Sequence, residues 1–182
     1  MKKAVIFLSI ITIAITSCNI KEKKAQKEHE ADVSKSTFIK VGDQVPSFNY
    51  ITLTNDTIDI SALKGKVVFM NFFATSCPIC IKELPFVEKD IWSKYKDHEE
   101  FELLVLGREH SAEEMIAFKE KTGYTFNVIP DPGRKIDSLF AEKYIPRNVV
   151  IDRNGKIIYQ ATGFNDEEFS QLKKIIESEL NK

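Results

Sequence analysis

"KVVFMNFFATSCPICIKELP", Lys66 to Pro85, changes character twice. Lys66–Phe73 is an almost unbroken apolar run, the pattern of a strand buried on both faces, as in a parallel sheet. After Pro78 the apolar residues recur at intervals of three and four: Ile81, Leu84, Val87, Ile91 and Tyr95. That is the period of a helix. Between strand and helix stand two cysteines separated only by Pro78 and Ile79. Proline suits the first position of a helix, where its missing N–H costs nothing. Cys77 is therefore expected at the helix N-terminus.

The flanking sequence completes the architecture. "NYITLTNDTIDISAL" alternates about Asn55-Asp56, a turn pair, and predicts a β-hairpin. "FELLVLG", Phe101–Gly107, reads as a second buried strand, and Ser111 with Glu114 forms a capping box for the next helix. "FNVIPD" is a short extended piece, followed by the turn Asp131-Pro132-Gly133 and a short helix with Ile136, Leu139 and Phe140. "NVVID" and "KIIYQ" flank Asn154-Gly155, a second hairpin signal. A last helix starts near Asn165 and carries Phe169, Leu172, Ile175, Ile176 and Leu180. The early part requires a right-handed parallel crossover and the late part antiparallel pairing. The expected class is α/β: a mixed central sheet with helices on both faces and an N-terminal β-hairpin.

This domain spans 37–182, about 145 residues, enough for one core. The residues before it read differently. Lys2 and Lys3 precede an apolar run from Ala4 to Thr16 and then "ITSC", Ile15–Cys18. The run is too short for a mature membrane span and has the form of a secretory signal, 1–17. "ITSC" resembles the lipobox of bacterial lipoproteins, which implies cleavage after Ser17 and lipid on Cys18. Cleavage takes Lys plus Arg from 26 to 24 against 27 acids, a formal charge of −3. Neither that charge nor the intact chain's −1 recommends nucleic acid as a partner. Polar, charge-mixed residues follow up to Ser36, and 18–36 is expected to be a lipidated, flexible tether, with a charged helix as the alternative.

Cys77 and Cys80 have three readings. A structural disulfide across so small a loop removes little chain entropy. A zinc site wants four ligands, and the domain's two histidines, His98 and His110, lie outside ligand spacing and are expected to be solvated. A redox pair has a mechanism. The helix dipole and unpaired amides favour a thiolate on Cys77, and the thiolate is the attacking species in disulfide exchange. Cys80, one turn on, shares its face and is placed to resolve the mixed disulfide.

"MNFFATSCPICIKELP" resembles the active-site segment of the TlpA/ResA-like thioredoxin family, exported thiol–disulfide oxidoreductases. The similarity extends through "PSFNYITLTNDTIDISALKGKVVFMNFF" before it and "IPRNVVIDRNGKI" after it. The resemblance implies a thioredoxin-like fold with Cys77 and Cys80 as a catalytic pair that forms a disulfide. It implies that Glu83 exchanges protons with the thiols and that Pro85 kinks the helix. It also implies that Pro146 is a cis-proline whose neighbour Ile145 binds substrate backbone, in the manner of strand addition. Asn71 stands where thioredoxin carries a buried acid; read without the resemblance, Glu83 could equally be a solvated helix residue. Phe72, Phe73 and Tyr144 are expected in the core. Two departures touch the substrate groove: Ser76 replaces the family's usual Trp, and Arg147-Asn148 stand where Thr is usual. Arg147 is expected to be solvated.

The implied function is reduction of disulfide-containing exported proteins, apocytochrome c among them, with electrons from a membrane thiol donor. The implied location is the cell envelope, held to the membrane by the N-terminal lipid. The chemistry needs no cofactor, and no metal is assigned. Two other readings stay open. A peroxiredoxin-like peroxidase usually wants Thr three residues before its cysteine, where this chain has Ala74. A copper or metal chaperone would bind through the two sulfurs without catalysis.

Overall fold

The computed structural model describes residues 23–182. The described chain falls into two units that meet between Ser36 and Thr37. In the first, residues 23–36 form helix α1. Of the two readings of this stretch, a flexible tether and a charged helix, the helix is the one that forms. Its composition explains this: Lys, Glu, Gln and Ala are strong helix formers, and charged and amide side chains meet at i,i+4. Lys24 Nζ lies 3.8 Å from Glu28 Oε1, and Gln26 Nε2 donates to Glu30 Oε1 at 3.2 Å. Residues 1–22, which carry the signal and the Cys18 lipidation motif, lie outside the described residues.

The second unit is built on a five-stranded sheet. Strands β1 (Asn49–Ile51) and β2 (Thr57–Asp59) form the separate antiparallel hairpin. The sheet contains β3 (Val67–Phe73), β4 (Phe101–Arg108), β5 (Val128–Asp131), β6 (Arg147–Ile151) and β7 (Ile157–Thr162). Their spatial order is β5-β4-β3-β6-β7, with β3, β4 and β5 parallel and β6 and β7 antiparallel to their neighbours. All seven residues of β3 are buried, as expected for the central strand. The hairpin between β6 and β7 turns at Asn154-Gly155; Asp152 Oδ1 accepts the N–H of Asn154 at 2.9 Å and of Lys156 at 2.8 Å.

Alternation along β3 divides the interior in two. Val67, Phe69 and Phe73 join one core with α2 (Pro78–Phe86), α4 (Ala112–Thr122) and α6 (Asp166–Leu180). Val68, Met70 and Phe72 join the other with the hairpin, the 3-10 turn Ile60–Leu63 and α5 (Asp137–Phe140). Helix α4 starts on the Ser111–Glu114 capping box. It packs close to the end of β4: a Cβ on Gly107 would run into Met115 Sδ. Helix α6 begins at Asn165, whose side chain accepts the Glu168 N–H at 2.9 Å.

Helix α2 departs from a simple 3.6 pattern. Pro85 lies inside it and supplies no N–H. The chain then widens into a π-helical turn, Val87–Trp92, and closes in α3 (Ser93–Tyr95). Cys80, Leu84, Val87 and Ile91 form the fully buried row. Ile81, which the spacing placed on that row, is instead 39% exposed. The helix start explains this: with Cys77 capping, the first residue turned inward is Cys80.

Candidate active site

The Cys77–Cys80 segment sits at the C-terminal end of β3, where the sheet hands the chain to α2. Cys77 is the N-cap, with extended φ −94° and ψ 106°, and Pro78 occupies the first turn. The Cys80 N–H points at Cys77 Sγ, 3.2 Å away. One of the helix's unpaired amides thus addresses this sulfur directly. The two cysteines are joined, with Cα atoms 5.3 Å apart. Their exposure differs: Cys77 is partly open to solvent, and Cys80 is wholly buried. Only Cys77 can meet an outside disulfide.

The Ile145–Pro146 peptide is cis, and Ile145 O lies 3.8 Å from Cys77 Sγ. Ile145 is half-buried and Pro146 buried. The loop before β6 therefore places a backbone carbonyl against the sulfur. Tyr144, expected in the core, is only partly buried and holds a left-handed φ of 67° in this loop.

Glu83 lies one turn beyond Cys80 on the inward side of α2, 1% exposed. That burial excludes a solvated role. Two asparagines meet it from the sheet. Asn71 Nδ2 donates to Oε2 at 2.9 Å, and Asn148 Nδ2 donates to Oε1 at 2.5 Å. Asn71 also donates to Asn148 Oδ1 at 2.8 Å. Asn71 and Asn148 are partners in the β3–β6 register and point to the same face. Burial raises the Glu83 carboxyl to about 7; the hydrogen bonds from Asn148 and Asn71 pull it back in part, and Glu168 adds to the rise. A carboxyl so placed can hold or release a proton near neutrality. Tyr159, Gly163, Phe164 and Asn165 close over Glu83 and Asn148, leaving no space large enough for a water molecule. Burial, then Glu168 and Glu83, push Tyr159 up to about 12, so it remains a neutral phenol. Its hydroxyl donates to Glu168 O at 3.1 Å.

Two expected surface residues are not at the surface. Arg147 is wholly buried. Alternation along β6 turns it to the face opposite Asn148, where Nη1 donates to Thr37 Oγ1 and Nη2 to Lys143 O, each at 3.2 Å. Burial lowers it to about 10, against the pull of Asp137. Arg147 is thus a buried support behind the cis-proline, not a groove residue. His110 is the second. Its side chain is only 13% exposed. Nε2 accepts the Thr75 N–H at 3.0 Å. His98 is exposed, as expected, and accepts the Glu100 N–H at 3.2 Å. Ser76 is exposed beside Cys77.

Sequence reading missed Asn148 as a partner of Glu83 and His110 as a partner of the cysteine turn. The first was accessible only through the antiparallel register of β6 on β3. The second joins residues 35 positions apart. Among the described residues, no group of three or more His, Cys, Asp or Glu could hold a metal ion.

Comparison with known proteins agrees with this geometry. The Redoxin family model matches residues 40–176. The thiol-disulfide oxidoreductase ResA of Bacillus thuringiensis is 32% identical over 139 residues, covering 75% of this chain and 79% of its own. ResA of Bacillus subtilis is 28% identical and covers 69% of each chain. A candidate protein disulfide isomerase from Bacteroides thetaiotaomicron superposes with a TM-score of 0.77 at 38% identity, over 81% of this chain and 94% of that one. A candidate thiol:disulfide interchange protein DsbE from Chlorobium tepidum gives 0.70 at 26% identity, over 79% and 99%. With a joined cysteine pair at a helix start in a thioredoxin-like sheet, this chain belongs to the Redoxin family and is a thiol–disulfide oxidoreductase of the ResA type.

Proposed function

We propose that this oxidoreductase works as an exported, membrane-anchored reductant of protein disulfides, with cysteine-bearing apocytochrome c among its clients. The observation that carries the reading is the asymmetry of the pair: a half-exposed sulfur that caps a helix, and a buried partner one turn before a buried carboxyl. Cys77 is the nucleophile, Cys80 the resolving thiol, Glu83 the proton acceptor, and Ile145–Pro146 the backbone contact for the client.

In the reduced enzyme the Cys77 thiolate attacks one sulfur of the client disulfide. A Cys77–client bond forms, the client's own S–S bond breaks, and the freed client sulfur takes a proton from solvent. The Cys80 thiol then gives its proton to the Glu83 carboxylate and attacks Cys77. The Cys77–Cys80 bond forms and the second client sulfur leaves, taking up a proton in turn. The client gains two electrons and two protons. A membrane thiol donor returns them to the enzyme through the same steps reversed. An N-terminal lipid on Cys18 raises the effective concentration of enzyme near such a donor in the cell envelope.

The test is Cys80→Ser. It leaves the attack intact and removes the group that resolves the intermediate. Cells expressing it are expected to accumulate covalent complexes of exported proteins that dissolve in dithiothreitol. A variant lacking both cysteines is the control, and equal patterns from the two would refute the reading. Fatty-acid labelling lost in Cys18→Ala tests the anchor.

A further inference from the structure

The turn that presents Cys77 is held from outside its own segment. Residues 74–77 close on themselves through one bond, Cys77 N–H to Ala74 O at 3.1 Å. Thr75 sends its N–H away from the turn, to His110 Nε2 at 3.0 Å, and its Oγ1 lies 3.2 Å from the same nitrogen. His110 belongs to the connection between β4 and α4, and the fold takes pains to place it. Glu109 adopts a left-handed φ of 64°, unusual for a residue with a side chain. The His110 N–H is tied to Gly107 O at 3.1 Å. The ring lies beside Phe73, centroids 6.5 Å apart, and is largely shielded from solvent.

A backbone N–H can only donate, so Nε2 must carry a lone pair. In a neutral ring the proton then sits on Nδ1. That atom is buried and makes no well-formed hydrogen bond, but Glu114 Oε2 stands 3.5 Å from it. The same oxygen accepts the Ser111 N–H at 2.7 Å in the capping box. A chain of polar contacts therefore runs from the start of α4, through the imidazole, to the amide two residues before Cys77. The groups facing the ring are Glu114 from α4, the uncharged Phe73 of β3, and Thr75.

We propose that His110 is a positioning residue for thiol–disulfide exchange: its neutral ring, protonated on Nδ1, holds the Thr75 amide and fixes the turn that presents the Cys77 sulfur. The proposal rests on the oxidoreductase reading for its consequence in turnover, but not for its geometry. A doubly protonated ring has no lone pair at Nε2 and lets the Thr75 amide go. The ring is thus a latch that is closed only when neutral.

Two measurements test this. Nitrogen-15 NMR of the labelled wild-type protein above neutral pH is expected to show His110 unprotonated at Nε2 and protonated at Nδ1; the opposite tautomer overturns the proposal without any variant. The second compares His110→Gln, whose amide oxygen can still accept the Thr75 N–H, with His110→Leu, which cannot. Leu is expected to slow Cys77 alkylation and insulin reduction roughly fivefold, the scale of one neutral hydrogen bond. Gln is expected to stay within twofold of wild type. Leu at the wild-type rate, or Gln as slow as Leu, overturns it. Absent insulin reduction in the wild type would instead count against the functional reading, leaving the tautomer and alkylation results to judge the latch.

Discussion

Replacing Glu83 with Gln probes the buried carboxyl through both stability and rate. Burial lifts Glu83 from an ordinary 4.5 to about 7. An acid raised in the folded state is penalised when it ionises. Its penalty is absent below pH 4.5, grows as pH rises toward 7, and is constant above. The difference corresponds to about 3 kcal/mol at most, of which about 2–3 kcal/mol develops between pH 5 and 8. Glutamine carries no such penalty. It does, however, put an NH2 group where Asn71 or Asn148 now donates, since both asparagines address the carboxylate with Nδ2. That mismatch costs about 1–3 kcal/mol at every pH. Urea unfolding of the oxidised protein should therefore find E83Q less stable than wild type at pH 5 and as stable as wild type or more so at pH 8, the gap moving by about 2–3 kcal/mol in favour of the variant. The exchange rate with a disulfide substrate should fall by up to about 100-fold near neutrality, the low end of what a positioned acid–base group contributes. If the stability gap between the two proteins is the same at both pH values, Glu83 does not titrate as its burial dictates, and its role in proton exchange fails with it.

Other consequences are simpler. Arg147→Ala should lose about 2–5 kcal/mol in denaturant unfolding, because it removes the hydrogen bonds to Thr37 Oγ1 and Lys143 O and opens a void behind β6; Arg147→Met, which fills the space without charge, should lose clearly less. Ser111→Ala should lower stability by about 1 kcal/mol through the α4 cap. Leu84→Ala should cost about 2–5 kcal/mol, since Leu84 is wholly buried between α2 and the sheet; an effect below 1 kcal/mol would contradict the packing described. Iodoacetamide should alkylate Cys77 of the reduced protein faster than Cys80, reflecting their unequal exposure, and equal rates by peptide mass spectrometry would remove the distinction between nucleophile and resolving thiol.

Local pattern carried much of this protein. The run of β3 has to be buried on both sides, because Asn71 alone in it is polar and one polar residue makes no solvent face. Pro78 and the three-four spacing after it start a helix at the cysteines. Asn55-Asp56 and Asn154-Gly155 make turns, and Ser111 and Asn165 begin helices, because in each case the decisive hydrogen bonds join near neighbours in the chain. The same locality made α1 harder to read, since its i,i+4 pairs and helix-forming composition were outweighed by its polarity. Only the assembled sheet decided the rest. Whether a polar residue is solvated depends on what lies across from it, and strand register sets that. Arg147 and Asn148 are adjacent in sequence, yet the two-residue alternation of β6 sends one behind the cis-proline and the other to Glu83. The protonation of Glu83 is a property of that enclosure and of no residue in it alone. His110 reaches Thr75 because parallel β3 and β4 end side by side, a distance the chain order conceals.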